Sequence, residues 1–263
     1  MPMLSDQYPL GYEEVFTVRT YEIDNRKKAT PAALVRLMQE AAMQNVIQIK
    51  LSVWDLEPHQ ISWVLTRLNL HIHRLPDLNE RIRILTYPRG FEKFFTHRDY
   101  RIFDADNQLI AHSSSTWLLM DTQNRKMARM PEFILAFNAR MPRAEDCLPI
   151  PSDKRPKFER TDRHKQYEVN WHDLDFNMHL NNTLYIQWML ETVEDHILEK
   201  GYLKELDIVF RMEALWKESI QSELQRIDNQ NFLHRLLRKN DGKELAAMQT
   251  RWVFPSSPGI FTS

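Results

Sequence analysis

The chain has 263 residues, 43% of them hydrophobic and 11% aromatic, enough to bury one large core or two smaller ones, which argues against disordered and fibrous classes. Its 35 basic and 36 acidic residues leave a net charge of −1, which disfavours a globally basic nucleic-acid binder but leaves room for a local basic patch. Five glycines, none spaced as G-x-G-x-x-G, a phosphate-binding loop or G-x-S-x-G, argue against the usual dinucleotide-binding, nucleoside-triphosphatase and α/β-hydrolase folds.

A single cysteine, Cys147, permits no intrachain disulfide and no thiolate zinc cluster, and fits a reducing compartment. The first residues hold no basic segment followed by an apolar run, and no stretch of about 18 apolar residues occurs. The expectation is a soluble cytoplasmic chain with no signal peptide and no membrane span.

Residues 13–21 alternate and read as a strand. Thr30 is a good N-cap and Pro31 suits the first helical position. Leu34, Leu37, Met38, Ala41 and Ala42 follow at helical spacing, which predicts a helix to about residue 49. Its broad apolar face marks it as buried. Four β-like runs follow, at 62–74, 80–88, 93–104 and 108–121, with Asp106-Asn107 as the turn between the last two. His71 and His73 share one face of the first run, but no third ligand is evident, so an exposed strand is the preferred reading over a metal site.

Residues 138–165 carry four prolines and many charges with no period, and read as a connector between two domains, 1–137 and 166–263. The cations Lys154, Arg155, Lys157, Arg160, Arg163 and Lys165 fit a solvated connector, with a docking patch for an acidic partner as the alternative. Cys147 sits in this stretch with no base near it in sequence, so it is not read as a nucleophile. From residue 166 the pattern restarts: a strand at 166–171, one helix over 180–200, then strand-like runs near 204–212, 218–227, 231–239 and 243–254.

The restart is an internal repeat. Glu40 and Glu191 are 151 residues apart, as are Asp24 and Asp175. Trp117 and Trp252 are 135 apart, as are Asp106 and Asp241. Two copies of strand, long helix and antiparallel meander predict an α+β chain of two fused hotdog domains, each a helix wrapped by a curved antiparallel sheet.

The copies differ before the helix. The second reads HDLDFNMHLNN where the first reads YEIDNRKKATP, so Asn177 stands opposite Arg26 and His179 opposite Lys28. Asp175, Asn177 and His179 are two apart, which in an extended segment places them on one side. They precede a helix start at Asn181 or Asn182, whose amides carry partial positive charge and can stabilise an oxyanion. A carboxylate, an amide and an imidazole there suit acyl transfer, with the aspartate as nucleophile or base and the imidazole polarising water. Ordinary caps and turn formers are the competing reading. The asymmetry between copies favours function.

Residues 173–191 contain every fixed position of D-L-D-x-N-x-H-x-N-N-x-x-Y-x-x-W-x-x-E, and so resemble the hallmark of the acyl-acyl carrier protein thioesterases of plants and bacteria. Y-E-I-D at 21–24, L-x-x-L-M-Q-E-A at 34–41 and W-V-L-T-R at 63–67 extend the resemblance over roughly residues 10–254. It implies two fused hotdog domains and hydrolysis of fatty acyl-acyl carrier protein to free fatty acid, with the carrier protein as partner and no metal or organic cofactor. It further implies that Asp175, Asn177, His179 and Glu213, the last on the strand after the helix, are catalytic. Plant members carry cysteine after that glutamate; Ala214 here departs from that pattern, which counts against a cysteine mechanism and leaves the aspartate–histidine reading intact. The resemblance also assigns much of an acyl pocket to the first domain, for which Leu34, Met38, Ala42 and Trp63 are equally good as plain core. An acyl-CoA thioesterase and a non-catalytic acyl-binding module are the rival readings. A hotdog dehydratase is disfavoured by the absence of H-x-x-x-P-x-x-P-G. A homodimer, chain length and the role of Asp175 as nucleophile or base stay open.

Overall fold

The computed structural model describes residues 7–152 and 155–254. The chain divides into two compact units, Met1–Lys154 and Arg155–Ser263. In the first, β1 (Tyr12–Thr17) leads through a 3-10 turn at Thr20–Glu22 to α1 (Pro31–Gln48) and the short α2 (Val53–Leu56). Then come β2 (Ile61–Ile72), β3 (Arg81–Phe91), β4 (Phe95–Phe103), β5 (Leu109–Asp121), β6 (Lys126–Met127) and α3 (Glu132–Leu135). The strands run β1-β3-β4-β5-β2 with every neighbouring pair antiparallel, and β6 adds to β5.

The second unit holds β7 (Arg163–Glu168), α4 (Asn182–Leu190), α5 (Asp195–Lys200), β8 (Tyr202–Phe210), β9 (Ser219–Arg226), β10 (Asn231–Arg238) and β11 (Glu244–Val253). Its order is β7-β9-β10-β11-β8, again antiparallel throughout. Taking β7 for β1, β8 for β2 and so on, the two orders are the same. Each unit is a hotdog: a helix packed on one face of a five-stranded sheet, with α1 against β3 and β1, and α4 against β9, β10 and β11.

Local chemistry explains the frame. Thr30 caps α1 by accepting from the Ala33 amide at 3.1 Å, and Pro31 opens the helix. Leu34, Met38 and Ala41 are fully buried beneath it, and Ala42 is nearly so. Trp63 is half-buried, donates from its indole to the Leu51 carbonyl at 3.0 Å and stacks on Phe91. The repeat extends to side-chain detail. Trp117 donates to Ser115 Oγ at 2.8 Å, and Trp252 to Thr250 Oγ1 at 3.1 Å, each two residues back along its strand. Asn107 and Gly242, also 135 apart, both take left-handed turns, with φ of 60° and 67°.

Three stretches depart from expectation. The first strand ends at Thr17, because Glu22 accepts from the Arg19 amide at 2.7 Å and tightens residues 20–22 into the 3-10 turn. The helix expected over 180–200 is two, α4 and α5, broken at residues 191–194. Thr192 and Val193 are buried β-branched residues, and Thr192 Oγ1 donates to the Met189 carbonyl at 2.6 Å, diverting the acceptor of the last turn.

Nor is the stretch 138–165 a bare connector. Its first part is bonded to the first unit's sheet. Asn138 exchanges two 2.9 Å hydrogen bonds with the Phe91 backbone. Asp146 O accepts from Tyr87 and Arg101, and the Leu148 amide donates to buried Asp99 at 2.8 Å. Its last residues, from Arg163, already belong to β7. Four of the basic residues there are ion-paired, Arg155 with Asp207, Arg160 with Asp162, Arg163 with Asp195 and Lys165 with Glu191. Lys154 lies outside the described residues.

Candidate active site

The turn before α4 is built by one carboxylate oxygen. Asp175 Oδ1 accepts from the Asn177 amide at 2.8 Å and the His179 amide at 3.2 Å, while the Asp175 amide donates to the His179 carbonyl at 2.8 Å. Met178 completes the turn with φ of 64°. The turn before α1 is the same object: Asp24 Oδ1 takes the amides of Arg26 (2.9 Å) and Lys28 (3.2 Å), its own amide reaches Lys28 O at 2.9 Å, and Lys27 has φ of 61°. The aspartate shared by both copies is therefore a turn former in each.

What differs is the other oxygen. Asp24 Oδ2 is held by the Arg26 guanidinium at 2.8 Å. Asp175 Oδ2 has no hydrogen-bond partner among the described residues. Because residues 175–179 fold into a turn and are not extended, spacing by two does not align the three side chains. Asn177 contributes its backbone amide to Asp175, and its side chain is exposed.

His179 and Glu213 do meet. His179 Nε2 stands 3.3 Å from Glu213 Oε2, both side chains about a quarter exposed, at 23% and 29%. Glu213 is not on a strand; β8 ends at Phe210 and β9 begins at Ser219, so it sits in the intervening loop. That loop is docked beside the turn by backbone. Leu180 N donates to Ala214 O at 2.9 Å, and His179 bridges Leu215. The first unit docks its loop in the same way, Ala29 N to Pro76 O at 2.9 Å and Lys28 bridging Asp77. There Lys28 stands for His179 and Leu75 for Glu213, so the imidazole–carboxylate pair exists in the second unit only.

The remaining hallmark positions have frame-building parts. Asp173 accepts from the Asn170 amide at 2.8 Å and caps the 3-10 turn. Asn181 caps α4 by accepting from Thr183 N at 2.9 Å, which takes one of the amides that the sequence offered to an oxyanion. Trp188 stacks on Tyr167, and Glu191 pairs with Lys165 at 3.4 Å. Tyr185 hydrogen-bonds the loop around Glu213; its fixed place in the hallmark was the available signal, and sequence reasoning gave it no part.

Other candidates separate from the site. His112 lies across from His71 with rings stacked at 4.8 Å, and His73 is tilted 5.4 Å from it. Among the described residues no three His, Cys, Asp or Glu side chains are placed to hold a metal ion. Cys147 Sγ donates to Arg143 O at 3.5 Å, and burial pushes its thiol above the ordinary range, away from nucleophilic character.

Comparison with known proteins agrees with both halves. The profile of the acyl-ACP thioesterase N-terminal domain matches residues 9–137, and that of the acyl-ACP thioesterase C-terminal domain matches residues 157–253. A chloroplastic acyl-[acyl-carrier-protein] hydrolase of Cuphea viscosissima is 27% identical over 287 residues, covering 99% of this chain and 68% of its own. A chloroplastic palmitoyl-acyl carrier protein thioesterase of Cuphea hookeriana is 27% identical over 277 residues, covering 95% and 66%. The chain thus spans about two thirds of the length of these relatives. An acyl-ACP thioesterase from Bacteroides thetaiotaomicron superposes with a TM-score of 0.85 at 16% identity, over 94% of this chain and 99% of that one. The protein is a two-hotdog thioester hydrolase. It belongs to the acyl-ACP thioesterase family.

Proposed function

We propose that the protein hydrolyses the thioester of fatty acyl-acyl carrier protein, releasing free fatty acid and ending chain elongation, with Asp175, Asn177, His179 and Glu213 as the working residues. The observation that carries the site assignment is the His179–Glu213 pair at 3.3 Å, present in one unit of a duplicated frame.

Glu213 orients the imidazole and stabilises its protonated form. His179 takes a proton from water, and the hydroxide formed attacks the thioester carbonyl carbon. The tetrahedral intermediate collapses, the carbon–sulfur bond breaks, and the thiolate takes the proton back from His179. Asp175 holds the turn through Oδ1 and presents Oδ2 beside the reacting carbon, and the exposed side-chain carboxamide of Asn177 orients substrate. Burial of the acyl chain contributes about 0.8 kcal/mol per methylene, so chain length is the natural axis of selectivity.

The open Oδ2 of Asp175 favours one second reading, attack by the carboxylate to give a mixed anhydride that water then cleaves. Single turnover in heavy-oxygen water, read together with rapid-quench mass spectrometry, separates the two. Label in the Asp175 carboxylate means a covalent intermediate; with label confined to the fatty acid, which cleavage of the anhydride at its acyl carbon also gives, absence of an acyl adduct on Asp175 in the quenched protein means direct attack by water.

Thiol release from carrier protein and from CoA loaded with the same chains tests the substrate. Faster cleavage on the carrier, weakened by salt because the carrier is acidic, supports the reading. Cleavage of CoA esters alone replaces the substrate, and chain binding without hydrolysis replaces the activity. Asp175→Ala and His179→Ala are each expected to lower turnover by orders of magnitude, roughly 10²- to 10⁴-fold, in a folded protein; full activity in either removes that residue from the site. The cytoplasm is the compartment proposed, supported by the single cysteine.

A further inference from the structure

Tyr185 is buried in α4. Its hydroxyl accepts from the Ala214 amide at 2.8 Å and donates to the Met212 carbonyl at 3.2 Å. Those two backbone groups lie on either side of Glu213, so one phenol grips the chain before and after the carboxylate-bearing residue. The ring is itself fixed edge-on against Phe210, with centroids 5.6 Å apart. Burial pushes the phenol well above its usual range, which keeps it neutral and able to donate and accept at once.

The first unit is an internal control. Leu34 occupies the place of Tyr185 (185 − 34 = 151), as Asp24 does that of Asp175. Leu75 stands for Glu213 and Pro76 for Ala214 (213 − 75 = 138 and 214 − 76 = 138). Proline has no amide hydrogen to be satisfied. The first unit nevertheless docks its loop with the same 2.9 Å backbone bond. The docked loop forms without a phenol, and the phenol occurs where the loop carries a glutamate.

We propose that Tyr185 is a positioning residue for the hydrolysis: by clamping residues 212 and 214 it sets the Glu213 carboxylate against His179. This rests on the reading of Glu213 and His179 given above. A displacement of about 1 Å in such a group costs on the order of 10²-fold in rate, so the clamp acts on kcat and not on substrate binding.

The test uses the full chain and the carrier-bound acyl group that it cleaves fastest. Tyr185→Phe keeps the ring and removes the clamp. It is expected to lower kcat about 10- to 100-fold with KM within about twofold, a split that a merely structural role would not give. In a Glu213→Gln background the same change is expected to add less than about twofold, because the two act as one unit. Tyr185→Phe combined with Ala214→Pro, which copies the first unit and removes the orphaned amide, is expected to recover melting temperature but not kcat.

Wild-type kcat in Tyr185→Phe, full multiplication of the two losses in the double variant, or return of kcat with Ala214→Pro would each overturn the proposal. If Glu213→Gln is itself as fast as wild type, the site reading fails and the clamp falls with it. A slow Glu213→Gln beside a fast Tyr185→Phe sinks the clamp alone.

Discussion

His234 shows how far a single buried group can govern the pH range of this fold. Its ring lies between the Met189 carbonyl at 3.1 Å and Thr250 Oγ1 at 2.9 Å, fully enclosed under α4. Burial lowers its pKa to about 3, so it stays neutral in the folded chain. In the unfolded chain it takes a proton below about pH 6.5. The stability it contributes is therefore present above that value and is lost as pH falls from about 6.5 towards 3, at about 1.4 kcal/mol per pH unit. Melting temperatures from pH 7 to 4 in wild type and His234→Gln check this. The variant is expected to start lower and to fall less steeply; parallel slopes would assign the acid sensitivity to other groups. Among residues, His179 and Asp175 were legible as a motif, but their division of labour was not. An extended-chain rule put three side chains on one side, whereas Asp175 Oδ1 spends its capacity on two backbone amides and curls the segment.

At the scale of elements, the turn closed by Asp24 or Asp175 precedes each main helix and governs its entry. Asp24→Ala leaves two amides without their acceptor, and is expected to cost about 1–3 kcal/mol in chemical denaturation. Thr30→Ala removes the adjoining cap of α1 at about 1 kcal/mol. Because Asp24 and Thr30 serve one short stretch, the double variant is expected to lose less than the sum; strict additivity would show two independent elements. Thr30 and Pro31 could be read from sequence because capping is local chemistry. The break after α4 could not be read from apolar periodicity, since residues 180–200 stay apolar at helical spacing. The signal that existed was Thr192 followed by Val193, a β-branched pair whose hydroxyl draws off a helix carbonyl. The bonding of residues 138–148 to the first sheet was hidden because its bonds are long-range, joining Asp146 to Tyr87 and Leu148 to Asp99.

For the whole molecule, the duplication was the most legible feature, because constant offsets survive where side chains diverge. The pairs Trp117 with Trp252 and Asn107 with Gly242 fall at matching places in two sheets of the same strand order. Loop closure hid the partner of His179. Glu213 is 34 residues further along the chain (213 − 179 = 34), and no local period connects them. Only the docking of the loop after β8 onto the turn before α4 brings them together.

The duplicated turn has one further consequence, for how activity is inferred across such proteins. The same backbone closes around Asp24 with Arg26, Lys28, Leu34 and Leu75, and around Asp175 with Asn177, His179, Tyr185 and Glu213. Shape and chemistry are thus separable at this turn. On the proposed site assignment, a chain could keep both hotdogs, every strand pairing and even the aspartate while becoming a silent paralogue through four side-chain changes. Global likeness would not register the loss; inspection of those four positions would.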